Sequence, residues 1–124
     1  WTAGGMVASA RDLALYGAAL SDGRLLQPES MEFLTEWFPF GNGWQIGHNV
    51  FRDEYPDGLA LIGHGGSVLG FTGSLYWVEG ADVVVVVVCN VGTMHAGSVP
   101  ASAGSVARVR EFTDLAMRIA SLVP

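Results

Sequence analysis

Lysine is absent from all 124 residues. That excludes a P-loop, whose lysine must reach the nucleotide phosphates. Cysteine occurs once, at Cys89, so no internal disulfide can form and the redox compartment stays open. Its place behind a run of valines is where an inert, buried thiol would sit. Charge is scarce as well: 15% of residues are charged, against about 25% in an ordinary soluble domain. The balance is acidic, six arginines against twelve carboxylates for a net charge of −6, which repels phosphate backbones and sets nucleic acid aside as a partner. No hydrophobic run approaches the roughly 20 residues of a membrane span; the most apolar window, residues 83–88, reads as a central strand. No stretch reads as a signal peptide, a repeat or a low-complexity tract. No Gly-x-Ser-x-Gly occurs, so there is no nucleophile elbow, and Gly63-x-Gly65 lacks the third glycine of the dinucleotide fingerprint. The three histidines, His48, His64 and His95, are sixteen and thirty-one positions apart. Common zinc sites need closer spacing or cysteine partners, so neither a metal nor another cofactor is expected.

What is present fits one domain or a piece of one. The thin polar coat, and a chain that opens on Trp1 without an initiator Met, predict a fragment of a longer protein. Ser9-Ala10-Arg11-Asp12 has the form of a capping box, and Leu13, Tyr16, Gly17 and Leu20 follow at helical steps until Asp22-Gly23. A second helix is predicted from Pro28 to about Trp37, with Met31, Leu34 and Trp37 inward and Glu29, Glu32 and Glu36 wet. Pro39 and Gly41 would end it. Alternation over residues 44–51 predicts one two-faced strand, and Pro56-Asp57-Gly58 a turn. A short strand over residues 59–63 leads into glycines. Residues 70–78 and 82–90, joined by Glu79-Gly80-Ala81, predict an antiparallel hairpin. Residues 92–104 read as a small-residue loop, and the apolar spacing from Val109 to Leu122 as a closing helix. The order of elements predicts an α+β fold, an antiparallel sheet with helices packed on it.

The stretch Gly63-His64-Gly65-Gly66-Ser67-Val68-Leu69-Gly70-Phe71 brings an imidazole among bare backbone amides, which lets a ligand approach the main chain. It reads as the rim of an active site. On its own, His64 can equally be a satisfied strand-end histidine, and Ser67, Ser74 and Ser98 read most simply as loop or strand hydroxyls. Trp44, Trp77, Phe71 and Tyr76 are core candidates, one of which can edge a cleft. His48 and His95 are expected at the surface.

Five pieces in order carry a resemblance: residues 3–14, Gly23-Arg24-Leu25-Leu26 with Pro28-Glu29-Ser30, Gly41-Asn42-Gly43-Trp44, Gly63-His64-Gly65-Gly66-Ser67 with Gly70-Phe71, and the valine strand ending at Asn90. Together they resemble the C-terminal part of the serine β-lactamase and D-alanyl-D-alanine carboxypeptidase family, which includes penicillin-binding proteins, class C β-lactamases and esterases. The resemblance implies the C-terminal portion of a β-lactamase or transpeptidase-like fold over residues 1–124, and acyl-serine hydrolysis of a peptide, amide, ester or β-lactam. It puts His64 and the backbone amide of Ser67, as half of an oxyanion hole, in catalytic places, with Gly65 and Gly66 against the substrate. The family's Ser-x-x-Lys and Tyr-x-Asn motifs are missing here, since there is no lysine and Tyr16, Tyr55 and Tyr76 are followed two places on by Ala18, Asp57 and Val78. The chain is therefore expected to be inactive alone and to need the N-terminal half of the same fold as its partner. Histidine followed by glycine in the third motif is more typical of the peptidase and esterase branches. Two other readings remain: a non-catalytic ligand-binding or partner-docking module on the same scaffold, and a structural domain that self-associates through an uncovered sheet.

Overall fold

The computed structural model describes residues 5–41, 43–56, 58–68, 70–90, 118 and 122. The small-residue loop, His95, Ser98 and nearly all of the closing helix lie outside them. Ser9 starts the first helix as read from the sequence: its hydroxyl accepts from the Asp12 amide at 3.2 Å, and the Asp12 carboxylate accepts from the Ser9 amide at 3.2 Å and its hydroxyl at 2.7 Å. Those bonds occupy donors that the first turn would leave open. They also hold the Asp12 carboxyl below its ordinary range, the bond from the Ser9 side chain first and that from its backbone second. The helix, α1 (Ala10–Ser21), buries Gly17 and Leu20, while Tyr16, expected on the inner stripe, is exposed.

The second helix, α2 (Pro28–Leu34), has Pro at its first position as predicted. It stops a turn earlier than the periodicity suggests, at Thr35, whose hydroxyl donates to the Met31 carbonyl at 2.9 Å. The polypeptide then turns into an unpredicted strand, β1 (Phe38–Gly41), followed by β2 (Trp44–Ile46) and β3 (Phe51–Glu54). Proline is tolerated in β1 because that strand lies at the sheet edge. The single strand predicted over residues 44–51 is instead a hairpin. Gly47 N–H closes it onto the Val50 carbonyl at 2.8 Å, with Asn49 in the left-handed region at φ 74°. A side chain at Gly47 would run into the Leu34 carbonyl, 2.3 Å from its Cβ, so the turn packs tightly on the end of α2. His48 is at the surface as expected, though partly covered: its ring stacks on Phe33 at 3.7 Å and its Nε2 lies 3.3 Å from Glu36.

The turn signal at residues 55–58 holds, with Gly58 N–H on the Tyr55 carbonyl at 2.9 Å. After it come β4 (Ala60–Val68), β5 (Phe71–Val78) and β6 (Val84–Cys89). The hairpin predicted for the last two is present, in register from Thr72↔Cys89 to Trp77↔Val84, and Cys89 is half-buried at its end. All six strands form one antiparallel sheet in sequence order. Alternation along the central strands divides the core in two. Leu61, Tyr76, Val78 and Val85 cluster on one face. Ile62 and Trp77 face the other way and meet Leu20 of α1 and Val50, flanked by Met31, Leu34 and Trp37. The expected α+β class is what the structure has.

Candidate functional site

The glycine-rich stretch is not a loop that follows a strand. It is the second half of β4, and the register shows what that half lacks. Pairing with β5 runs the full length of β4, from Leu61↔Val78 to Val68↔Phe71. Pairing with β3 ends at Phe51↔Gly63. Among the described residues no strand pairs with residues 64–68 on that side, so β4 has an open edge there.

Which amides face the opening follows from two hydrogen bonds at the other end of the strand. Glu79 N–H donates to the Ala60 carbonyl at 2.9 Å, and Tyr55 N–H to the Leu59 carbonyl at 2.9 Å. Main-chain groups alternate sides along an antiparallel strand. Residues 60, 62, 64, 66 and 68 therefore bond toward β5, and residues 59, 61, 63, 65 and 67 toward β3. Past Gly63 that second set, Gly65 and Ser67, points its N–H and C=O groups into the open edge.

His64 is exposed, and its Nδ1 is hydrogen-bonded to the Gly65 carbonyl. A carbonyl can only accept, so in that contact Nδ1 is the donor and Nε2 is the ring nitrogen left for another partner. On its other flank the imidazole meets Phe51, ring centroids 5.3 Å apart at 42°. Phe51 in turn touches Phe40 at 5.5 Å and Trp44 at 5.9 Å, both edge-on. The structure thus brings His64, Gly65, Gly66 and Ser67 together on one edge. Neither Ser74 nor Tyr76 belongs to it, for both are buried.

The glycines of the stretch are glycine for different reasons. A Cβ on Gly63 would run into the Leu75 carbonyl oxygen and lie 2.7 Å from the Tyr76 ring, whereas a Cβ on Gly66 would meet nothing within 4 Å among the described residues. Packing demands the first and is indifferent to the second.

The alternation over residues 44–51 hides Phe51, because a single strand there puts Phe51 on the wrong side of a turn. Gly47 and Asn49, both turn formers, are the signal. The alternation also hides the anchor on β3. Arg52, with 17% of its side chain exposed, binds Glu79 and Glu54 at 2.7 Å each and Gln45 at 2.9 Å. The bonds to Glu79, then Glu54, push the guanidinium pKa further up against the cost of burial. This cluster joins β2, β3 and the residue after β5 across the paired half of β4. Among the described residues no group of three or more His, Cys, Asp and Glu side chains is placed to hold a metal ion, and no helix is long and apolar enough to cross a membrane.

Comparison with known proteins agrees with this architecture. The solved structures include a D-stereospecific amidohydrolase from Streptomyces sp. that matches with a TM-score of 0.61 and 22% identity, over 66% of this chain and 25% of that one. At that identity the likeness speaks to the fold, and this chain spans about a quarter of that protein's length. No curated protein matches. A family model described as Beta-lactamase matches residues 1–106, well over half of the sequence. By that match the chain belongs to the β-lactamase family.

Proposed function

We propose that this chain forms the substrate-binding edge of a serine hydrolase that forms and hydrolyses an acyl-serine intermediate from a peptide, amide, ester or β-lactam. The observation that carries the reading is the second half of β4, unpaired on its β3 side among the described residues, with the Gly65 and Ser67 amides turned to that side beside an exposed imidazole. A flat acyl group laid along that edge would complete the interrupted ladder. Its carbonyl oxygen would sit about 3 Å from the Ser67 N–H, the distance at which a fixed amide stabilises the oxyanion of a tetrahedral intermediate. Attack by a serine hydroxyl on the carbonyl carbon would generate that oxyanion; collapse would expel the amine or alcohol, and water would then release the acid. The serine and its base would come from residues outside these 124. His64, with Nε2 as the acceptor of its neutral form, would take or hold a proton at the leaving-group end of the edge. Gly66, free of any packing demand, would keep the approach to the strand clear.

The test is to treat the complete polypeptide that carries this chain with a fluorescent penicillin and a fluorescent active-site phosphonate. Covalent labelling by at least one is the expected result. Failure of both in a folded protein that contains Ser-x-x-Lys would falsify acyl transfer and leave the non-catalytic ligand-binding or partner-docking module as the better reading.

A further inference from the structure

We propose that Phe51, backed by Phe40 and Trp44, is the wall of a leaving-group subsite that selects aromatic or bulky apolar groups on the departing side of the scissile bond. The proposal rests on the reading of the β4 edge as an acyl-binding rim. Phe51 is the first residue of β3, so its ring stands where β3 stops covering β4 and the open edge begins. It touches His64 directly, at 5.3 Å.

A ligand that pairs antiparallel to β4, as β3 does, lies in line with β3 and ahead of it. Its chain direction then points its C-terminal end at Phe51. With its reacting carbonyl opposite Ser67, that end reaches Gly63, the residue paired with Phe51, after four residues of strand rise, roughly 13 Å. The third residue beyond the reacting one lies opposite His64, whose ring touches Phe51, and the fourth lies opposite Gly63. What they meet is apolar: Phe51 and Trp44 are half-buried, and Phe40 is 60% exposed on the edge strand. The two edge-on contacts, at 61° and 76°, fix the Phe51 ring from behind, so little side-chain entropy remains to be lost when a ligand packs on it.

A second copy of this chain is a poorer occupant. β1, which carries Phe40, contains Pro39 and an irregular register between Pro39 and Gly41, devices that blunt an edge against strand-to-strand association. The same rings remain available to a small apolar group that approaches along β4.

The experiment uses the complete polypeptide and two peptides of one acyl group, one with Gly-Gly-Phe amide and one with Gly-Gly-Ala amide as the leaving group, so that the variable side chain falls opposite His64. The readout is the ratio of kcat/KM for the Phe peptide over the Ala peptide, so each variant carries its own reference. Wild type should favour the Phe peptide, and Phe51→Leu and Phe40→Ala should each reduce the ratio, by about tenfold for Phe51→Leu, the scale of a lost apolar contact in a pocket. Far-UV circular dichroism and the thermal midpoint of both variants confirm folding. Phe40→Ala, at an exposed edge position, keeps the test open if Phe51→Leu misfolds. An unchanged ratio in the folded variants, with phosphonate labelling of wild type intact, overturns the subsite and leaves the hydrolase reading standing. Absence of labelling in wild type overturns both.

Discussion

Gly63 and Gly66 are three positions apart on one strand and answer to different neighbours. At Gly63 the Tyr76 ring and the Leu75 carbonyl occupy the space of a side chain, so Gly63→Ala must force β4 and β5 apart. The expected outcome is a protein that is insoluble or loses its cooperative thermal transition. Gly66→Ala should leave the thermal midpoint of the complete protein within about 2 °C of wild type, because among the described residues nothing lies within 4 Å of the new methyl, and yet lower kcat/KM by about 10²-fold, the scale of a small misplacement of reacting groups. Equal loss of folding in both variants, or full activity in Gly66→Ala, would contradict the roles given to them. Ser74, paired with Gly65 across the hairpin, is 4% exposed and its hydroxyl has no hydrogen-bond partner among the described residues. Removing an unsatisfied buried hydroxyl relieves a desolvation cost, so Ser74→Ala should raise stability by about 1 kcal/mol in denaturant titration; a marked loss would mean that the hydroxyl does have a partner. None of these distinctions was legible beforehand. A run of glycines shows that the backbone must be bare, but which glycine answers to packing and which to a ligand depends on the strand across from it.

At the scale of elements, the parts of the fold carried by local chemistry were readable and those carried by contact were not. The capping box at Ser9 and Asp12 and the turns at Tyr55–Gly58 and Glu79–Ala81 are satisfied within a few residues, so spacing alone finds them. The early stop of α2, the strand β1 and the break between β2 and β3 depend on Leu34 and Gly47 meeting across the sequence, and periodicity does not see that. The start of α1 offers a check on the local side. The folded-state pKa of Asp12 lies below the unfolded one. Its contribution is therefore present above the unfolded value, about 3.9, and is lost as pH falls through the lower folded value. Ser9→Ala should lower the thermal midpoint at pH 7, and the gap from wild type should narrow at pH 3, where Asp12 begins to protonate in both. A gap that stays constant or widens on the acid side would contradict this linkage.

For the molecule as a whole, the order of elements carried the α+β class and the pattern over residues 70–90 the antiparallel hairpin, while the length of the open edge came only with the register of β3 against β4. The resemblance implied that His64, Gly65, Gly66 and Ser67 face a ligand; alternation of the backbone singles out Gly65 and Ser67 as the residues whose amides face the open edge. His64→Ala in the complete protein should lower the rate of phosphonate labelling by about 10²-fold, within the range for loss of a positioned acid or base, without lowering the thermal midpoint, since the ring is exposed. The most direct measurement is a crystal structure of the complete protein with a phosphonate or boronate bound to its nucleophile. The expected result is an adduct oxygen about 3 Å from the Ser67 amide nitrogen, with the ligand extended along residues 64–68 of β4. An adduct whose oxygens lie away from that amide, or a second protein strand already paired with this edge, would contradict it.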